Sequence, residues 1–201
     1  MENQIKVGDP ITNLISAVES YNLSRDSSNK HEYVVMRALR EACDAAVEGN
    51  YGIGAIIIDS QGRTVARGHN RVFSPHFNSS KHAEMDVIDA YEQLCLTQDR
   101  SSEGDILITT LEPCPMCFCR IITSHINTVY FASDDEPGGM VHLKHQLPQV
   151  WQDIATGQGL KAQLADCSPE LRQLSLDAFL VTKNVLDAKI TKSTNDLAPS
   201  T

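Results

Sequence analysis

Two short stretches of this chain hold the residue types that bind a soft metal ion and move protons: His82-Ala83-Glu84 and Pro113-Cys114-Pro115-Met116-Cys117. Zn²⁺ takes imidazole nitrogen and thiolate sulfur in tetrahedral sites. With only three protein donors it keeps its fourth position for water, which separates a catalytic zinc from a structural one. His82, Cys114 and Cys117 make three donors. Glu84 is then spare, and a carboxylate beside an activated water can take its proton and later protonate a leaving amine. The chemistry this set points to is hydrolysis.

The spacing constrains the elements that carry the set. Cys114 and Cys117 are three residues apart, so on a helix they sit about 60° apart around the axis and can share one ion. Pro115 suits the first position of a helix. Cys114 therefore falls at or just before a helix start, where orphan N–H groups and the positive dipole end favour the thiolate. Alone, Cys-x-x-Cys also fits a redox pair, a single His fits a surface residue, and Glu84 fits a first-turn acid that favours the helix dipole. The combination, on two predicted helix starts, is what selects the metal reading.

Periodicity supplies the frame. Pro10 to Leu23 has helical spacing and precedes a polar linker, Ser24 to Lys30, so residues 1–30 read as an extension outside the catalytic unit. Glu32 to Glu48 is a helix stopped by Gly49-Asn50. Ile53 to Asp59 and Thr64 to Asn70 read as a hairpin. A helix from His82 to Leu96, a strand from Asp105 to Thr110, a helix from Pro115 to Ser124 and a strand from Thr128 to Ala132 follow. Leu147 to Ala155 predicts a short helix and Leu160 to Ala165 a strand. Ser168-Pro169-Glu170 opens a last helix with an N-cap, a first-position proline and an early acid, and Leu171, Leu174, Ala178 and Val181 line its buried stripe. Strands alternating with helices imply a mixed sheet flanked by helices, as one domain over 31–189. Residues 190–201 read as a disordered tail.

Composition narrows the class. The 201 residues are 41% hydrophobic, enough for one core, and no apolar run reaches the length of a membrane helix. The opening residues lack a basic start followed by an apolar core, so they do not read as a secretory signal, and a cytoplasmic protein is expected. Six cysteines in a chain of this size fit reduced thiols better than disulfides. Cys43, Cys95 and Cys167 read as small packed groups, and Cys119 as core, because residues two apart on a helix point to nearly opposite sides. His142-x-x-His145 has the spacing for a second metal but no accompanying carboxylate or cysteine. With 17 basic against 26 acidic residues, the net charge of -9 disfavours a grip on nucleic acid and favours a small substrate.

Thr110-Leu111-Glu112-Pro113-Cys114-Pro115-Met116-Cys117 and Gly68-His69-Asn70-Arg71, with His82-x-Glu84, resemble the zinc-dependent cytidine deaminase superfamily over roughly residues 32–135. They look most like the branch of guanine, cytosine and tRNA adenosine deaminases. The resemblance implies a three-layer αβα sandwich around a mostly five-stranded mixed sheet, usually as a homodimer or larger oligomer. It implies zinc on His82, Cys114 and Cys117, with Glu84 as proton shuttle in a hydrolase that replaces a ring amine by an oxo group and releases ammonia. The backbone N–H of Ala83 or Cys114 could hold the substrate oxygen or amine. The branch commonly uses an Asn at the position of Asn70 for the base or its sugar; turn formation is the alternative. Guanine deaminases place a purine-reading acid near Asp135, where a solvated acidic turn is the alternative. Glu112 would order the loop before the metal turn.

Among substrates, a purine base or nucleoside such as guanine stands first. The acidic balance supports it, and the helix opening at Cys167-Ser168-Pro169-Glu170-Leu171 resembles the closing C-terminal segment of guanine deaminases. tRNA adenosine deamination is the alternative, and would gain from Lys81, His142, Lys144 and His145 gathered beside the zinc pocket. Cytosine deamination comes third. A zinc scaffold without activity is a further class, against which Glu84 speaks, because a structural site has no use for a spare carboxylate.

Overall fold

The computed structural model describes residues 9–21, 28–98 and 103–196. Its elements are α1 (Pro10–Ser20), α2 (Glu32–Val47), β1 (Gly54–Ile58), β2 (Thr64–His69), α3 (Ala83–Gln98), β3 (Ile106–Leu111), α4 (Pro115–Thr123), β4 (Thr128–Ser133), α5 (Gln149–Gly157), β5 (Lys161–Leu164) and α6 (Pro169–Asp196). The strands form one mixed sheet in the order β2-β1-β3-β4-β5. β1 runs antiparallel to β2 and β3, whereas β3, β4 and β5 are parallel. The result is the expected αβα sandwich around five strands.

Alternation along the strands decides which helix lies on which face. Ile56, Ile58 and Ile108 pack with α1, α2 and α6 through Leu14, Val18, Leu39, Leu171 and Ala178. Ala55, Ile57 and Leu107 face the other way, onto Val87 and Ile88 of α3 and Ile121 of α4. α5 docks beside α4, where partly buried Trp151 and Ala155 pack against Phe118, Phe131 and Met140. At Gly68 of β2 a Cβ would lie 2.5 Å from the backbone nitrogen of Val87, so the absent side chain sets how closely α3 approaches the sheet.

The helix expected from Pro10 ends at Ser20, because Tyr21 is already extended; Asn22, Leu23 and most of the polar linker lie outside the described residues. α1 buries Leu14 and Val18 in the same core as α2. Tyr21 adds a polar tie: its hydroxyl bonds Glu32 of α2 and lies 2.7 Å from Ser168 Oγ at the start of α6. Ser168 caps α6, its Oγ accepting from Leu171 N at 3.1 Å. α6 runs on through Ile190 to Asp196, inside the segment read as a tail, and residues 197–201 lie outside the described residues. None of the described helices is long and apolar enough to cross a membrane.

Candidate active site

The metal-type residues sit on the first turns of two helices that pack on the same face of the sheet. His82 immediately precedes α3, and its carbonyl accepts from Asp86 N at 2.9 Å. Cys114 is the N-cap of α4, extended at φ -68° and ψ 169°, with Pro115 at the first helical position and its carbonyl accepting from Phe118 N. β3 ends at Leu111, a few residues before Cys114, so the sheet delivers one ligand pair and α3 delivers the third. The donor atoms of His82, Cys114 and Cys117 all lie within 4.8 Å of one another, and His82 Nδ1 is 3.6 Å from Cys114 Sγ. Such a spread is close to what ligands about 2.0–2.3 Å from one ion span. Two sulfurs and an imidazole nitrogen, largely buried, are the donor set that zinc selects.

Electrostatics agree with that donor set. The Cys114 thiol is brought down to about 4, first by its hydrogen bond with Cys117, against the cost of burial, and then by His82. The same contact with Cys114, and burial, push Cys117 up. A thiolate at Cys114 raises the pKa of His82 by hydrogen bonding. A metal ion would take the remaining Cys117 proton out of this balance. Glu84 lies in the first turn of α3, 4% exposed, and its Oε1 accepts from Thr109 Oγ1 at 3.2 Å. Burial raises its carboxyl pKa, and the Cys114 charge adds to the effect. Such a shift moves a carboxyl towards the range where it can both accept and release a proton near neutral pH.

These groups open onto a cavity of about 380 Å³. His82, Glu84 and Cys114 line it, together with Asn70, Leu111, Glu112 and Asp135. Asn70, with no exposed surface, follows β2; its Oδ1 accepts from Val72 N at 3.2 Å while its Nδ2 has no partner. The turn alternative is thus visible in the carbonyl, while the amide N–H₂ stays buried without a partner. A buried, unpaired donor is costly unless something meets it. Asp135 also lines the cavity, and burial raises its carboxyl pKa. Ala83 keeps its side chain in the core beside Val87 and Ile88, so only its backbone could meet a substrate.

Glu112 holds the loop that carries Asp135. Its Oε1 accepts from His142 N at 2.9 Å and Nδ1 at 2.8 Å, and its Oε2 accepts from Asp135 N at 3.2 Å. A Cβ on Gly139 would stand 2.4 Å from the Glu112 carboxylate, so this loop closes only around glycine. The same contact settles His142, which serves Glu112. Among the described residues, His82, Cys114 and Cys117 are the one group gathered tightly enough for a metal, and no second site forms at His142 and His145. Cys119, expected in the core, is only half-buried. It lies about 200° around α4 from Cys117 and so faces away from the metal group towards the rim of the helix.

The helix expected to resemble a closing C-terminal segment does form one wall, through residues that the sequence left unnamed. Tyr51 before β1, and Phe179, Lys183, Asp187 and Ile190 of α6, also line the cavity. The α6 residues recur at i, i+4, i+8 and i+11, a single stripe roughly 140° around the axis from the packed residues Leu171, Leu174 and Ala178. A stripe mixing aromatic, cationic and acidic side chains reads in sequence as a solvated helix face. Only the packing of α6 across α2 turns it inwards.

Residues 28–133 match the family model of the cytidine and deoxycytidylate deaminase zinc-binding region. The chain belongs to that family. Members of the family are zinc-dependent hydrolases acting on nucleobases or nucleosides. The tRNA-specific adenosine deaminase of Bacillus subtilis is 37% identical over 108 residues, which cover 54% of this chain and 65% of that protein. The guanine deaminase of the same organism is 30% identical over 105 residues, covering 52% and 65%. The chain thus spans just under two thirds of the length of these relatives. A solved guanine deaminase from Nitrosomonas europaea superposes with a TM-score of 0.55 over 90% of this chain and 98% of its own, at 21% identity, a likeness of fold. The matched segment contains His82, Glu84, Cys114 and Cys117, whereas α6 lies beyond it.

Proposed function

We propose that this protein hydrolyses the exocyclic amine of a small nucleobase or nucleoside, with a purine such as guanine as the preferred substrate, and releases ammonia. The observation that carries the reading is the cavity of about 380 Å³ between the metal group and α6. It lies at the lower end of the roughly 300–1,000 Å³ of small-molecule sites. His82, Cys114 and Cys117 would hold zinc, which when bound would supply activated water near neutral pH. Glu84 would carry a proton to the ring nitrogen and then to the departing amine. Asn70 offers its unpaired amide N–H₂ to a ring acceptor, and Asp135 meets an amine or ring N–H. Glu112 keeps Asp135 at the cavity wall. The backbone N–H groups at Ala83 and Cys114 stand at helix starts, where partial positive charge favours developing negative charge.

The second reading, adenosine deamination in tRNA, draws on the similarity to the Bacillus subtilis tRNA-specific enzyme. Of the groups it would use, two are already paired and two lie apart from the cavity. Lys81 pairs with Asp86 and Asp89, and His142 with Glu112. Lys144 and His145 border a separate hollow with Phe118 and Leu147. An assembly of two copies, as in the homodimers of this branch, belongs to the same proposal. The test is ammonia release by the zinc-loaded protein from guanine, guanosine, adenine, adenosine, cytosine and cytidine, beside inosine formation in a tRNA anticodon stem-loop. Guanine is expected to react fastest; inosine in the stem-loop with no reaction from any free base or nucleoside would overturn the proposal.

A further inference from the structure

The cavity wall formed by α6 carries an ion pair whose arrangement is more than a helix-surface contact. Lys183 Nζ pairs with Asp187 Oδ2, and Tyr51 OH donates to Asp187 Oδ1 at 2.7 Å, so both Asp187 oxygens are engaged. Tyr51 is itself held by aromatic contacts on two sides, with ring centroids 5.7 Å from Phe73 and 5.9 Å from Phe179. Lys183 is the one lysine or arginine among the described residues lining the cavity, against acidic Glu84, Glu112, Asp135 and Asp187. Its charge also acts on Asp135 across the cavity, favouring the carboxylate there. A substrate entering along α6 therefore meets a cation already neutralised by one acid and shared with a second.

We propose that the Tyr51–Asp187–Lys183 arrangement is a charge filter that admits uncharged bases and turns away substrates bearing a phosphate. The filter rests on the deaminase reading above and names its substrate class: neutral heterocyclic amines. A phosphate brought to this wall gains one masked ammonium and faces the Asp135 and Asp187 carboxylates, all at a rim where screening is incomplete. Tyr51 makes the masking persistent, because it fixes Asp187 against Lys183 instead of leaving a mobile surface pair, and mobile pairs count for little.

Asp187→Asn is the decisive perturbation. It preserves shape and an oxygen for Tyr51 while removing the charge that masks Lys183. The measurement is kcat/KM of the zinc-loaded protein for a free base and for the matching nucleoside 5′-monophosphate. In Asp187→Asn the monophosphate-to-base ratio should rise roughly fivefold, the order expected of one partly exposed charge, mainly through KM and less at high salt. Asp187→Asn/Lys183→Met should return the ratio to the wild-type value. Tyr51→Phe should raise it by a smaller factor, since the charge stays and only its fixation is lost. An unchanged ratio in Asp187→Asn, or a rise that survives Lys183→Met, overturns the filter. Absence of ammonia from every base and monophosphate with the wild-type protein would instead overturn the deaminase reading.

Discussion

Replacing Glu112 tests how the loop carrying Asp135 is held. The carboxylate is 3% exposed and accepts three hydrogen bonds, two from His142 and one from Asp135 N, at 2.8–3.2 Å. Hydrogen bonds to a charged group contribute about 1.5–3 kcal/mol each. His142 is exposed, so its donors regain water when the carboxylate goes, and the total for Glu112→Ala falls to about 3 kcal/mol. For a chain of this size that corresponds to a loss of roughly 6–12 °C in Tm. Glu112→Gln keeps one acceptor oxygen and turns an N–H₂ towards the remaining donors, so it should lose a smaller part of the same stability. Calorimetry of the zinc-loaded variants gives Tm, colorimetric chelation gives zinc content, and steady-state kinetics give KM. The expectation is a lower Tm, near-normal zinc and a raised KM, because Asp135 is no longer held at the cavity wall. A Glu112→Ala Tm within about 2 °C of wild type, with KM unchanged, would refute the anchoring role.

Glu84→Gln should keep zinc and lose about 10²- to 10⁴-fold in kcat, checked by ammonia release alongside metal analysis; a wild-type rate would remove Glu84 from the proton path. Cys117→Ser should lose most of its bound zinc in dialysis against a chelator and melt at lower temperature, whereas full retention would exclude Cys117 as a ligand. Asn70→Ala should raise KM roughly five- to tenfold with a smaller change in kcat, and an unaltered KM would mean that the unpaired amide does not meet the substrate. His69 carries a pH prediction. Its hydrogen bond to Glu41 raises its pKa above 6.5, burial opposes this, and Glu48 adds to the rise. Its contribution to stability is therefore complete below pH 6.5 and fades as pH climbs through the raised folded value. The destabilisation of His69→Gln, read from urea midpoints, should be larger at about pH 5.5 than at about pH 8.5; equal penalties would rule out the paired imidazolium.

The metal chemistry and most of the frame were legible in the sequence because both rest on local rules. Cys114, Pro115 and Cys117 announce a helix start by spacing and by where proline is tolerated, and β1 to β4 by short β-branched runs between turn residues. Gly68-His69-Asn70 placed Asn70 directly after β2, and the proposal that it meets the substrate came from resemblance. What no local rule reached was the far side of the cavity. Phe179, Lys183, Asp187 and Ile190 share a helical stripe, but the stripe turns inwards only because Leu171, Leu174 and Ala178 dock α6 on α2, more than a hundred residues away in sequence. The partnership of Glu112 with His142 is similar: it depends on the 135–142 loop folding back around Gly139, a contact that spacing does not encode. Helix starts and ligand spacing follow from covalent neighbours and were set by the sequence alone. The shape and charge of the pocket arise from surfaces that meet only when the sheet and its helices pack, so only the tertiary structure could decide them.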